Sequence, residues 1–265
     1  MTKPTADRRQ VLATAAAAIA APAFAQPKPG RASPIVELRQ YTLHKGMRET
    51  MIALFEREFL TTQADVGMEV IGQFRDLDDP NRFVWMRGFP DMAARAASLG
   101  AFYGGPVWKA HGKAANATIL DSDNVLLLRP LGADGGFDRG RPAPKSPGLV
   151  VVEIRYLDRK AAPAFAAFYA SHMAPRMAAA GAAPLATFVT EESPNSFPRL
   201  PVRETVTVLA SVLGFPGVAQ HRAYQAALAA GPDWREQAGD PLLPQFMRKP
   251  EVLRLEPAPR SRLRG

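Results

Sequence analysis

The chain has 265 residues, of which 47% are hydrophobic and 22% are charged, and it contains no cysteine. These proportions are typical of globular domains, and they argue against a disordered chain, a disulfide-stabilised scaffold and thiolate catalysis. Part of the formal charge of +8 lies in residues 258–265, where the arginines predict a solvated basic tail. We therefore expect no nucleic-acid partner.

The first 25 residues have the pattern of an export signal. Arg8 and Arg9 precede a short Ala-rich apolar stretch, and Ala23-Phe24-Ala25 forms an A-x-A cleavage site. The arginine pair predicts a twin-arginine signal, with an ordinary Sec signal as the alternative. The apolar stretch is shorter than the ~20 residues that span a bilayer, so we expect a periplasmic or secreted protein with no membrane attachment after processing.

The next hundred residues predict a module of strands and helices. Alternating apolar residues indicate a strand over 35–43, and further strands are predicted over 70–74, 83–89 and the apolar run 125–128. Helical spacing indicates a helix over about 51–64, and a second helix is predicted over 91–104. Asp91 is placed to cap the second helix, and Pro106 suits the first turn of a short helix that follows. The order βαββαβ over residues 35–130 is that of a ferredoxin-like fold.

A repeat shows that this module occurs twice. Residues 88–108 recur without a gap as residues 214–234, and nine of the 21 positions are identical. Residues 131–148 are rich in Gly and Pro and predict a linker, and residues 149–257 repeat the elements of the first module. We predict an α+β protein in which the two modules pair as a dimer within one chain, with further homo-oligomerisation left open.

A family resemblance rests on several short motifs. The segment Glu37-Leu38-Arg39-Gln40-Tyr41-Thr42-Leu43 followed by Gly46, together with Asp91, Arg95 and Trp108, resembles the NIPSNAP family. The second module resembles the family less closely. The resemblance implies a dimeric α+β barrel with its helices outside. Proteins of that superfamily include cofactor-free monooxygenases, haem enzymes and ligand-binding proteins, so the fold does not fix the function.

The first strand carries an alternating set of polar residues. We expect Val36 and Leu38 to pack under the helices, which would turn Glu37, Arg39 and Tyr41 towards the barrel interior. In that position Arg39 could offer its planar guanidinium to a ligand oxygen, and Tyr41 could donate a hydrogen bond or act as a catalytic acid.

The second module repeats this pattern in part. Glu153 and Arg155 correspond to Glu37 and Arg39, but no tyrosine follows them. All four charged residues are candidates for ligand binding. The alternative interpretation is that each Glu-x-Arg pair is an ion pair that only stabilises the barrel.

Trp108 and His111 are predicted to share one face of the short helix after Pro106. Trp108 is either a core residue or a surface on which a ligand packs. His111 has no counterpart in the second module, where Gln237 stands. It is either a surface residue or a general base, since an unperturbed histidine titrates at a pKa of about 6.5.

Metal and cofactor motifs are absent from the sequence. The four histidines show no H-x-x-x-H or H-x-x-E pairing, and no P-loop, G-x-G-x-x-G or G-x-S-x-G pattern occurs. We therefore predict no metal and no cofactor, with a haem held by His172 left open.

Three functions fit the sequence. The first is the binding of a small apolar or acidic molecule in the barrel. The second is a cofactor-independent monooxygenase or isomerase that uses Tyr41 and His111. The third is a purely structural or interaction module.

Overall fold

The computed structural model describes residues 33–141, 144, 146–231 and 249–265. The predicted signal, including Arg8 and Arg9, and the end of the repeat, including Trp234, lie outside the described residues. In the first half the elements are β1 (Ile35–Leu43), α1 (Arg48–Leu54), the π-helical segment π1 (Phe55–Phe59), α2 (Leu60–Asp65), β2 (Glu69–Asp76), β3 (Arg82–Phe89), α3 (Met92–Gly104), α4 (Pro106–Asn116) and β4 (Ile119–Pro130).

The second half has a similar series. Its elements are β5 (Leu149–Leu157), α5 (Ala162–Phe168), the π-helical segment π2 (Tyr169–Met173), α6 (Ala174–Ala179), β6 (Ala183–Thr190), β7 (Thr207–Phe215), α7 (Val218–Ala230) and β8 (Glu251–Pro257). Among the described residues, no helix has the length and apolar character needed to cross a membrane.

The eight strands form one closed antiparallel barrel in the order β1-β3-β2-β8-β5-β7-β6-β4. Within each half, the first strand lies between the third and the fourth, and the second strand lies at one end of the row. Two pairings close the barrel between the halves, namely β2 with β8 and β4 with β6. The mixed α+β architecture predicted from the sequence is confirmed.

The orientation predicted for β1 is wrong. Val36 and Leu38 point into the barrel, where they join a cluster of aliphatic and aromatic side chains contributed by all eight strands. The other face of β1, which carries Glu37, Arg39 and Tyr41, lies beneath the helices. Among the described residues, helices cover the outer face of this part of the sheet and none lies inside the barrel, so only the outer face offers helix side chains as partners to a charged group.

The helix boundaries follow the predicted signals. The carboxylate of Asp91 accepts a hydrogen bond from Ala94 N at 2.7 Å, which confirms its role as the N-cap of α3. Pro106 occupies the first turn of α4, where a backbone N–H has no helical partner to lose. These two caps fix how α3 and α4 lie across the first half of the sheet.

The connecting segments are packed more closely than predicted. Phe137 lies within the predicted linker, yet it is buried against the ring of Phe188 at a centroid distance of 5.3 Å. The tail predicted to be solvated instead runs along β2, because Ala258 N donates to Gln73 O and Leu263 N donates to Ile71 O. Backbone groups of β2 beyond its short pairing with β8 thereby gain partners.

Candidate functional site

A buried ionic cluster lies between β1, β3 and α3. Glu37 accepts hydrogen bonds from Arg39 Nη1, Arg87 Nε and Arg95 Nε, each at 2.7 Å. All four residues are almost completely buried. Register explains the contact with Arg87, which pairs directly with Glu37 across the two strands. Three guanidiniums share one carboxylate, so the cluster is positively charged.

The charge state of the cluster follows from its contacts. Burial by itself raises the pKa of Glu37, but Arg87, Arg39 and Arg95 outweigh burial and hold that pKa far below its usual value. Glu37 is therefore ionised throughout the physiological range. Arginine keeps its proton under all such conditions, so the excess positive charge is permanent.

A pocket of about 280 Å³ lies above this cluster, between the sheet and helices α1 to α4. Its wall includes eight aromatic side chains. The sheet contributes Tyr41 and Trp85, and helices α3 and α4 contribute Tyr103 and Trp108. The guanidiniums of Arg39 and Arg87 lie near the Trp85 ring, at 5.6 and 4.9 Å from its centroid. The floor of this aromatic pocket is thus positively charged.

Polar groups of the pocket are available to a ligand. The hydroxyl oxygen of Tyr41 accepts from Arg39 Nε at 3.1 Å, which leaves the hydroxyl proton free to be donated. Burial raises the pKa of Tyr103, so that side chain stays a neutral phenol. The indole N–H of Trp85 is buried and has no acceptor among the described residues. These groups would all favour an oxygen acceptor in the pocket.

Some of the predicted site residues lie at the pocket and others do not. Tyr41 and Trp108 line the pocket, and Glu37 and Arg39 lie directly beneath it. His111 is not part of the lining, and its Nε2 lies 3.4 Å from the carboxylate of Glu58 on π1. The structure therefore does not bring His111 to Tyr41.

The residue considered for haem, His172, lies at the surface. Its ring stacks on Phe168, and its Nδ1 lies 2.7 Å from the hydroxyl of Ser171. None of the described residues that line the pocket is a histidine. In the described part of the chain, no three His, Asp or Glu side chains are grouped as metal ligands would be.

The second half has a weaker version of the cluster. Arg155 donates to Glu153 at 2.5 Å and to Ser211 Oγ at 3.1 Å. Ser211 pairs with Glu153 as Arg87 pairs with Glu37, and His221 stands in the repeat where the first half has Arg95. Two of the three arginines are thus replaced. Glu153 and Arg155 form a local ion pair beneath the helices and lie outside the pocket of the first half.

Sequence reasoning missed several residues of the site. Arg87 alternates with Trp85 and Phe89 on β3, so it shares their buried face and could have been assigned to it from the period of two. Arg95 lies within the apolar stripe of α3, which is a comparable signal. Phe197 and Arg199 line the pocket from the second half, and no local pattern predicts their position.

Solved structures with the same fold come from several proteins. A candidate monooxygenase of Lactobacillus acidophilus is 15% identical, with 84% of this chain and 93% of that chain covered and a TM-score of 0.51. A candidate monooxygenase of Fusobacterium nucleatum is 9% identical, with coverage of 85% and 93% and a TM-score of 0.53. An anthrone oxidase-like protein is 12% identical, with coverage of 84% and 91% and a TM-score of 0.53. At these identities the likeness concerns the fold alone.

The sequence comparisons are more specific in one part of the chain. No curated protein gives a significant match. Residues 36–132, which hold β1 to β4 and the ionic cluster, match the NIPSNAP family model, and this part of the chain is therefore a NIPSNAP domain.

Proposed function

We propose that the pocket of the first half binds a small aromatic molecule that carries an oxygen acceptor. The observation that carries this proposal is the hydroxyl of Tyr41, which is oriented by Arg39 and has its proton free at the base of an aromatic pocket. Ligand pockets commonly combine apolar walls with a few fixed polar groups. The volume of about 280 Å³ suits a molecule of one or two rings.

A titration with 2-naphthamide tests this proposal, because its carbonyl oxygen can accept from Tyr41. Binding is expected to quench the fluorescence of Trp85 and Trp108, which both line the pocket. Tyr41→Phe should weaken binding by about 1 kcal/mol, or roughly fivefold, through loss of one hydrogen bond. Arg155→Ala and His111→Ala lie outside the pocket and serve as controls. Absence of binding to the unaltered protein would contradict the proposal.

A second candidate is cofactor-independent oxygenation. The positive cluster beneath Tyr41 would stabilise negative charge on a ligand oxygen, as an oxygenase needs when it ionises its substrate. The fold shared with an anthrone oxidase-like protein suggests anthrone as the first substrate to test. Oxygen uptake should equal the anthrone consumed, giving anthraquinone and water. A rate no higher than in buffer would argue for binding without this reaction.

We also propose that the two halves are ferredoxin-like modules that pair as a dimer within one chain. The identical order of strands in each half supports this proposal, as does the repeat of residues 88–108. Each half alone would leave the edges of its sheet exposed. In the barrel these edges pair with each other, β2 with β8 and β4 with β6.

Export to the periplasm is likewise a proposal, supported by Arg8, Arg9 and the A-x-A site. Replacing both arginines with lysine should retain the precursor in the cytoplasm. The N-terminus of the mature protein should be Gln26. Unchanged export of the double variant would favour a Sec signal.

A further inference from the structure

One connecting segment of the second half covers the pocket of the first half. We call residues 191–206, between β6 and β7, the covering segment. It contributes Phe197, Arg199 and Leu200 to the pocket lining. Both of its ends are tied to β4, because Glu191 N donates to Leu127 O and Arg203 N donates to Val125 O. The pocket is therefore completed across the boundary between the two halves.

The ionic cluster itself holds the middle of this segment. Arg95 Nη1 donates to Asn195 Oδ1 at 2.9 Å and to Ser196 Oγ at 3.2 Å. Asn195 Nδ2 in turn donates to Leu200 O at 2.9 Å, so residues 195–200 form a closed turn. The ring of Phe197 stacks on Tyr103 with an interplanar angle of 21°. These contacts fix the position of the residues between Asn195 and Leu200 over the pocket.

Arg199 is distinctive within this fixed turn. It is exposed, it lines the pocket, and among the described residues it has no acidic or hydrogen-bonding partner. Its neighbours differ, since Arg203 donates to Tyr156 and Asn124, and Arg159 pairs with Glu192. A guanidinium at the entrance of an aromatic pocket without a counter-charge is available to receive an anion.

We propose that Arg199 determines ligand specificity, and that the ligand is an aromatic carboxylate. The ring occupies the aromatic pocket, one carboxylate oxygen accepts from Tyr41 as in the proposed function, and Arg199 stabilises the negative charge from the entrance. The cluster is buried, where charge–charge attraction is stronger than in water, and Arg199 adds a second positive charge at the exposed entrance. This inference rests on the proposed function and names the class of molecule that the pocket selects.

Two probes of the same shape, one charged and one neutral, test it. At pH 7 2-naphthoate is an anion, and 2-naphthamide has the same shape without the charge. The full chain should bind naphthoate more tightly than naphthamide. Arg199→Gln should weaken naphthoate binding about fivefold or more and leave naphthamide binding within about twofold. Arg222→Gln is the matched control, because Arg222 is exposed on α7 and lies outside the pocket.

The outcomes separate the two proposals. If the unaltered protein binds neither probe, the proposed function fails and this inference fails with it. If it binds both probes and Arg199→Gln weakens them equally or not at all, binding stands and the role of Arg199 is overturned. Asn195→Ala adds a positional test, since release of the covering segment should reduce the preference for naphthoate without any change in the charge of the protein.

Discussion

At the scale of single residues, Glu37 is the group on which the site depends. Three guanidiniums surround its carboxylate, and each is as deeply buried as Glu37 itself. A buried ion pair adds little net stability over an apolar pair, yet removal of one partner leaves charges without compensation. Glu37 therefore matters because three cations in the same space depend on it.

Replacing Glu37 with glutamine should lower the free energy of unfolding by about 3–5 kcal/mol, since the amide keeps the shape and removes the only negative charge of the cluster. Urea denaturation at pH 7 measures this loss. Glu153→Gln is the control. Glu153 pairs with one arginine and is partly exposed, so Glu153→Gln should lower the free energy of unfolding clearly less than Glu37→Gln does. Equal losses at the two positions would show that the cluster has no special role.

The same carboxylate predicts a dependence on acid. The pKa of Glu37 is lowered in the folded protein, whereas in the unfolded chain it is about 4.3. Its stabilising contribution is thus fully present above about pH 4.3 and decreases as the pH falls further towards the folded pKa. The difference in unfolding free energy between the unaltered protein and Glu37→Gln should shrink below pH 4.3. Other carboxylates titrate in both proteins and cancel, and a constant difference down to pH 3 would contradict the assignment.

At the scale of elements, the π-helical segment π1 forms part of the pocket wall. The segment π1 interrupts the helix between α1 and α2, and both Phe55 and Phe59 at its ends line the pocket. Such segments occur mostly as single wide turns within α-helices and often at functional sites. The second half has π2 at the corresponding place, away from the pocket.

Deletion of Arg57, whose side chain is 64% exposed, should convert π1 into a regular α-helical turn. The two phenylalanines would then move relative to the sheet, and the affinity for 2-naphthamide should fall about tenfold or more. Circular dichroism should show that the helix content is kept. Deletion of Ser171, an exposed residue of π2, is the control and should leave binding unchanged. Binding that survives both deletions would mean that π1 does not shape the pocket.

The elements could be predicted from the sequence, but their orientation could not. Alternation identified β1, and the side chain of Asp91 identified the start of α3, because these signals are local. Strand β1 has two buried faces, one inside the barrel and one beneath the helices, so alternation alone does not tell which face is which. The choice was decided by Arg95, which reaches Glu37 from a helix 58 positions along the chain.

At the scale of the whole molecule, the site belongs to both halves. The contact between Arg95 and Asn195 joins residues 100 positions apart, and no local motif predicts it. The repeat predicted that the halves pack together, but it could not predict that one connection would cover the pocket of the other half. The asymmetry of the cluster, with Ser211 and His221 in the places of two arginines, agrees with the position of the cationic aromatic pocket in the first half.

A fragment of residues 33–131 should keep neither the closed barrel nor the complete pocket. Its sheet would lose the pairings of β2 with β8 and of β4 with β6, and the side chains of Val36, Leu38 and Phe74 would lose the opposite wall of the barrel. A face of this kind drives association, so sedimentation should show dimers or larger species. The fragment also lacks Phe197 and Arg199, and it should bind 2-naphthoate weakly until residues 149–265 are added in trans. A fragment that stays monomeric and binds like the full chain would show that the first half alone forms both the fold and the pocket.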